Sequence, residues 1–176
     1  MAPEGLKTRP TSGRMRQTLF NMCQTMMSEA SFLDLFAGSG AMGLEAISRG
    51  ASQATFVDSS REAIRCIKEN IESMGVREKT AVIHADLVIA LEKLEKLGKQ
   101  FDVIFADPPY EHEDGLGLKT LQALDASKLI KPGSWVFLEE SAKVMLPTDG
   151  LKRLQLQSHR KTGRSSLYEF LTSEHI

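Results

Sequence analysis

The chain has 176 residues, 41% apolar and 26% charged, with a net charge of −1, a composition that suits one folded domain with a proper core. No apolar run approaches the roughly 18 residues that span a bilayer, and no secretory leader is visible, so a cytoplasmic protein with no membrane partner is expected. Cys23 and Cys66 are the only cysteines; they exclude a disulfide framework and a Cys-based zinc site and read as packing residues.

The ends of the chain are basic. Residues 1–16 carry Lys7, Arg9, Arg14 and Arg16 against Glu4 alone, and residues 152–164 carry Lys152, Arg153, Arg160, Lys161 and Arg164 with no acid. Two such ends on one face would hold a polyanion; solvated termini are the plainer alternative. After a basic arm over residues 1–12, Gly13 to Met27 sets Met15, Leu19, Met22 and Met26 on one side. This predicts an amphipathic leading helix, in a segment spanning 13–28, whose Met stripe packs in the core.

From residue 31 onward strand and helix patterns alternate. Ser31 to Phe36 reads as a strand, with a helix near Ala41 to Arg49, and Gln53 to Asp58 as a second strand. Ala63, Ile64, Ile67, Ile71 and Met74 then form a helical stripe stopped at Gly75. Thr80 to His84, Leu87 to Leu97 and Phe101 to Ala106 continue as strand, helix and strand, before a helix near Leu118 to Leu129. Pro132-Gly133 introduces a fifth strand, Ser134 to Leu138, and Leu151 to Lys161 with Ser165 to Leu171 read as a hairpin about Thr162-Gly163. Short apolar strands alternating with helices predict parallel βαβ units covered on both faces, closed by an antiparallel hairpin.

Gly38, Gly40 and Gly43 in Leu33-Asp-Leu-Phe-Ala-Gly-Ser-Gly-Ala-Met-Gly43 have the G-x-G-x-x-G spacing between the first strand and its helix. Such glycines allow a tight turn, close approach of a ligand and close helix packing. A dinucleotide would set its pyrophosphate there, with Asp58 on its ribose. Asp34 argues against that, because a carboxylate beside the turn repels pyrophosphate and suits a cationic amino-acid group. S-adenosylmethionine has an ammonium, a ribose and an adenine, and no phosphate. Asp86, after the third strand, is placed to accept from an adenine amine, or to cap the helix that follows. In a parallel sheet these strand ends line one crevice.

The fourth strand ends in Asp107-Pro-Pro-Tyr110. Two prolines fix the backbone and present carbonyls that need no ladder partner. An exocyclic base amine has two N–H donors, which the Asp107 carboxylate and the Pro108 carbonyl can accept, while the Tyr110 ring offers a stacking face.

This motif after such a glycine turn resembles the amino-group methyltransferases. Arg9-Pro-Thr-Ser-Gly-Arg-Met-Arg-Gln-Thr-Leu-Phe-Asn21, Leu33 to Ala46 and Phe101 to Tyr110 together resemble the RsmD family, bacterial 16S rRNA guanine-N2 methyltransferases. Where that family usually has a tyrosine-glycine turn near its C-terminus, this chain has Thr162-Gly163. The resemblance implies a single α/β, Rossmann-like class I domain over 1–176, with a mostly parallel seven-stranded sheet and a C-terminal antiparallel hairpin. It implies S-adenosyl-L-methionine as cofactor, held by Asp34, Phe36, Gly38, Ser39, Gly40, Asp58 and Asp86. It further implies Asp107, Pro108 and Tyr110 as the catalytic edge, no metal, and phosphate contacts from Arg9, Arg14, Arg16, Arg160 and Arg164. The expected partner is 16S rRNA, within the small subunit or its assembly intermediate, met by a monomer. A DNA adenine-N6 methyltransferase and a cofactor-binding module without transfer are the rival readings.

Overall fold

The computed structural model describes residues 13–109 and 115–173. Seven strands form one sheet: β1 (Ser31–Leu35), β2 (Gln53–Asp58), β3 (Thr80–His84), β4 (Phe101–Ala106), β5 (Ile130–Ser141), β6 (Leu154–Thr162) and β7 (Ser165–Thr172). Their order is β3-β2-β1-β4-β5-β7-β6. Pairing is parallel from β3 across to β5, and β7 runs antiparallel to both β5 and β6. The expected mostly parallel sheet and closing hairpin are therefore both present, with the hairpin turned so that its second strand joins the sheet first.

The helices are α1 (Gly13–Met22), α2 (Ala41–Ser48), α3 (Arg61–Met74), α4 (Leu87–Lys96) and α5 (Leu116–Ala126). Along β1, Phe32 enters a core with Met15, Leu19, Phe20, Ile67, Phe105 and Phe137. Leu33 and Leu35 enter the opposite core with Leu91, Leu94, Leu121, Leu124 and Tyr168. Side chains alternate across a strand, so a sheet covered on both faces needs such continuous apolar runs. α1, α2 and α3 thus cover one face, α4 and α5 the other. Local caps set the helix ends: Ser60 Oγ accepts from Ala63 N at 3.3 Å, and Gly75 closes α3 in the left-handed region.

The helix after β4 is shifted to Leu116–Ala126 and β5 runs on to Ser141; three other departures from the sequence expectation have a tertiary reason. The leading helix stops at Met22 rather than Met27. Beyond it the backbone turns, with Met26 N donating to Cys23 O at 2.9 Å, and Cys23, Met27 and Ala30 enter the core. Pro132-Gly133 lies inside β5 rather than ahead of it. There Ser134 Oγ donates to Phe101 O at 2.7 Å and accepts from Lys131 N at 3.0 Å, next to a register shift between β4 and β5. β6 begins at Leu154, because the preceding backbone is claimed by Asp125. Its carboxylate accepts from Lys152 N, Arg153 N and Leu154 N, each at 2.8 Å.

Cys23 and Cys66 are buried free thiols. Burial, with the nearby Glu169 charge, pushes the Cys23 thiol up to about 12, which leaves it inert as a nucleophile. Among the described residues no helix is long and apolar enough to cross a membrane, and no acid, cysteine and histidine cluster suits a metal.

Candidate active site at the sheet switch point

From β1 the chain winds outward through β2 and β3, then returns to the other side of β1 as β4. The connections after β1 and β4 therefore leave in opposite directions, and a crevice opens between them at the carboxyl ends of the strands. The register aligns those ends: Leu35 pairs with Val57 and with Ala106, and Asp58 pairs with His84. Asp34, Asp58, Asp86 and Asp107 are brought to this one edge.

The glycine turn is pinned from three sides. Asp34 Oδ2 accepts from Gly43 N at 3.0 Å, and Asp58 Oδ2 accepts from Gly38 N at 2.9 Å. Asn70, on α3, donates through Nδ2 to Ser39 O at 2.9 Å. Gly38 and Gly40 lie at φ 58° and 79°, where side chains are strained. The glycines divide their work as the motif requires. A Cβ on Gly38 would meet nothing within 4 Å, so this residue borders open space. A Cβ on Gly43 would stand 2.4 Å from the Phe56 ring, so its absence lets α2 lie against β2. Gly40 precedes α2 and has no side chain to cap it; within the first turn it is Gly43 N that is taken, by Asp34. Phe36 has φ 58°, a costly conformation for a bulky residue and the kind of strain that functional turns hold.

Asp34 is the most perturbed acid of the site. It is 1% exposed. Burial raises its carboxyl, the Gly43 N–H lowers it and the Asp58 charge raises it, for a net value of about 8 against an ordinary 3.8. Its Oδ1 is buried with no hydrogen-bond partner among the described residues. A buried acceptor left open beside a second carboxylate calls for a cation or a strong donor. Asp58 is firmly held, since its Oδ1 also accepts from Ser60 N at 2.8 Å. Asp86 caps α4, with Oδ1 accepting from Ile89 N at 3.0 Å; the capping alternative is thus what this side chain does within the fold.

On the β4 side, Asp107 N donates to Leu35 O at 3.4 Å, which carries the ladder one residue past the strand. Asp107 is half-buried, Pro108 buried and Pro109 exposed. Tyr110, Arg9 and the rest of the basic arm lie outside the described residues. Of the other basic candidates, Arg14 and Arg164 are exposed and Arg16 is half-buried. Arg160 is exposed but tied down, with Nε 3.2 Å from Glu169 Oε1 and 3.2 Å from Ser158 Oγ.

Sequence reasoning did not single out Asn70 or Glu139. Asn70 gave no signal, because its role depends on α3 reaching back to the turn. Glu139 follows the buried run Val136 to Leu138 as Asp58 and Asp107 follow theirs, and that repetition was the available clue.

The fold is that of the Rossmann-like methyltransferases. The ribosomal protein L11 methylase from Lactobacillus delbrueckii subsp. bulgaricus matches it with a TM-score of 0.74, covering 98% of this chain and 84% of that one; at 19% identity this is a likeness of fold alone. The chain belongs to the family described as conserved hypothetical protein 95, which matches residues 1–171, the family of ribosomal RNA small subunit methyltransferase D. The methyltransferase D of Buchnera aphidicola subsp. Acyrthosiphon pisum (strain APS) is 32% identical over 167 residues, spanning 94% of this chain and 83% of that protein. The solved yhhF protein of Escherichia coli has a TM-score of 0.83 and 28% identity, covering 99% of this chain and 92% of that one.

Proposed function

We propose that the protein transfers a methyl group from S-adenosyl-L-methionine to the exocyclic N2 amine of a guanine in 16S rRNA. The observation that carries this reading is the meeting of the glycine turn and Asp34 with the Asp107-Pro108 edge across one switch-point crevice. The names of the relatives support rRNA as the substrate class.

The residues present fit the cofactor. The open, buried Oδ1 of Asp34 suits an ammonium, the held carboxylate of Asp58 suits ribose hydroxyls, and the second oxygen of Asp86 suits the adenine amine. Gly38 borders the open space in which the cofactor would lie. When bound, the cofactor supplies an electrophilic methyl group.

The protein's own part is positioning and electrostatics. An amine on a purine ring is a poor nucleophile because its lone pair is delocalised into the ring. The Asp107 carboxylate and the Pro108 carbonyl accept its two hydrogens and favour a geometry in which the lone pair faces the crevice. Asp107 or water takes the proton that the nitrogen releases. Tyr110 holds the base flat, which requires a guanine already unstacked from its helix. Arg9, Arg14, Arg16 and Arg164 serve as phosphate contacts, and Arg160 shares that role with its ion pair to Glu169. On this reading the protein works in the cytoplasm as a monomer, on the small subunit or its assembly intermediate.

The test is tritiated-methyl transfer to small ribosomal subunits by the wild type and by Asp107→Ala. The variant should bind the cofactor normally and lose well over tenfold in transfer. Transfer within about tenfold of the wild type would remove Asp107 from the mechanism.

A further inference from the structure

β4 and β5 lie side by side, with Phe105 opposite Phe137 and Ala106 opposite Leu138. The next residues along the two chains are Asp107 and Glu139. Neighbouring strands are about 5 Å apart, so two side chains at one level meet the same small ligand. Phe105 and Phe137 both bury in the core beneath α1 and α2, and alternation returns Glu139 to that face. It is the face on which Asp34 reaches Gly43 of α2. Glu140 takes the opposite face, where its Oε2 comes so close to Gly117 of α5 that a Cβ there would be 2.4 Å away. Glu139 is only 4% exposed, although the neighbouring β4 ends one level before it, with Ala106 opposite Leu138.

We propose that Glu139 is the residue that selects guanine, accepting from the ring N1–H while Asp107 and Pro108 hold the adjacent amine. This rests on the guanine-N2 reading above and names what enforces it. Guanine presents a ring N–H donor beside its exocyclic amine. Adenine beside its N6 amine, and cytosine beside its N4 amine, present a bare ring nitrogen that only accepts. A carboxylate has acceptors and no donor, so it pairs with the first and repels the other two. The Asp107-Pro108 edge by itself recognises any of these amines; the second carboxylate makes the edge discriminate.

The experiment uses 16S rRNA assembled by ligation, with guanosine or 2-aminopurine riboside at the position the wild type methylates. 2-Aminopurine keeps the 2-amine but has a bare N1. The wild type should prefer guanosine in kcat/KM by at least about 100-fold, as sites built to receive a hydrogen bond do. Glu139→Gln offers an amide N–H to the bare N1, so it should lose rate on guanosine, gain on 2-aminopurine and narrow the ratio at least tenfold. A Glu139→Gln variant that keeps the wild-type ratio would overturn the inference. So would a wild type that methylates both bases equally, a result that needs no variant to fold. Absence of transfer to any guanine by the wild type would instead overturn the function itself.

Discussion

Asp34 is held in an environment that opposes its own charge, and Asp34→Asn tests why. Its carboxyl sits at about 8 in the fold against 3.8 ordinarily. A folded-state value above the unfolded one means that the native protein binds the extra proton. The associated stability is complete below about pH 4 and is lost as pH rises towards 8. At 1.36 kcal/mol per pH unit, the advantage of a neutral Asn over Asp should grow between pH 5 and pH 8 by up to about 4 kcal/mol. Asn keeps an oxygen for Gly43 N, and whatever its amide costs in this pocket applies at both pH values and cancels in the comparison. For a chain of this length 1 kcal/mol is roughly 2–4 °C. Thermal unfolding should therefore show Asp34→Asn gaining several degrees on the wild type from pH 5 to pH 8. The same substitution should weaken S-adenosylmethionine binding by at least about tenfold, since a charge-assisted bond to the ammonium is lost. At pH 7 the wild-type group is mostly protonated, so cofactor binding should release close to one proton, measurable by calorimetry in two buffers. A variant with no pH-dependent gain in stability and unchanged cofactor affinity would refute the reasoning. It would reduce Asp34 to a cap for the Gly43 amide.

Two further substitutions probe the scaffold. Gly43→Ala would place its methyl 2.4 Å from the Phe56 ring in the core, and overpacking of this kind costs about 1–3 kcal/mol. Its unfolding temperature should fall by several degrees, and an unchanged value would mean that α2 is not pressed against β2. Asp125→Ala removes the acceptor of three backbone N–H groups at the start of β6. Those bonds, with the Arg153 charge, outweigh burial and hold the Asp125 carboxyl below its ordinary value. The wild type should therefore lose this contribution as pH falls below about 4, and Asp125→Ala should lose roughly 2–4 kcal/mol at neutral pH. Chemical denaturation at pH 7 and pH 3 checks both, and equal losses at the two pH values would contradict the argument.

The parts of the site that were legible in the chain are those written locally. The glycine spacing, the Asp107-Pro-Pro sequence and the acids Asp34, Asp58 and Asp86 at or near the ends of the first three strands all announce themselves within a dozen residues. Strand edges and helix faces follow from the same local rules, which is why β1 to β4 and α2 to α4 stand close to where the pattern puts them. Contacts made across the sheet order were not legible. That Asp58 would reach Gly38, that Asn70 would reach Ser39, and that Leu138, just before Glu139, would lie opposite Ala106, just before Asp107, all depend on which strands become neighbours. Asp86 shows the converse. A helix cap and a ligand-binding acid look alike in sequence, and only the bond to Ile89 N shows which one the fold itself uses.

The most direct measurement is the nucleoside content of 16S rRNA from cells carrying the active protein and from cells carrying Asp107→Ala, read by mass spectrometry with the modified position mapped. The account predicts one N2-methylguanosine in the small-subunit rRNA that disappears with the variant. Identical rRNA in the two strains, or a methyl group that appears instead on adenine in DNA, would contradict it.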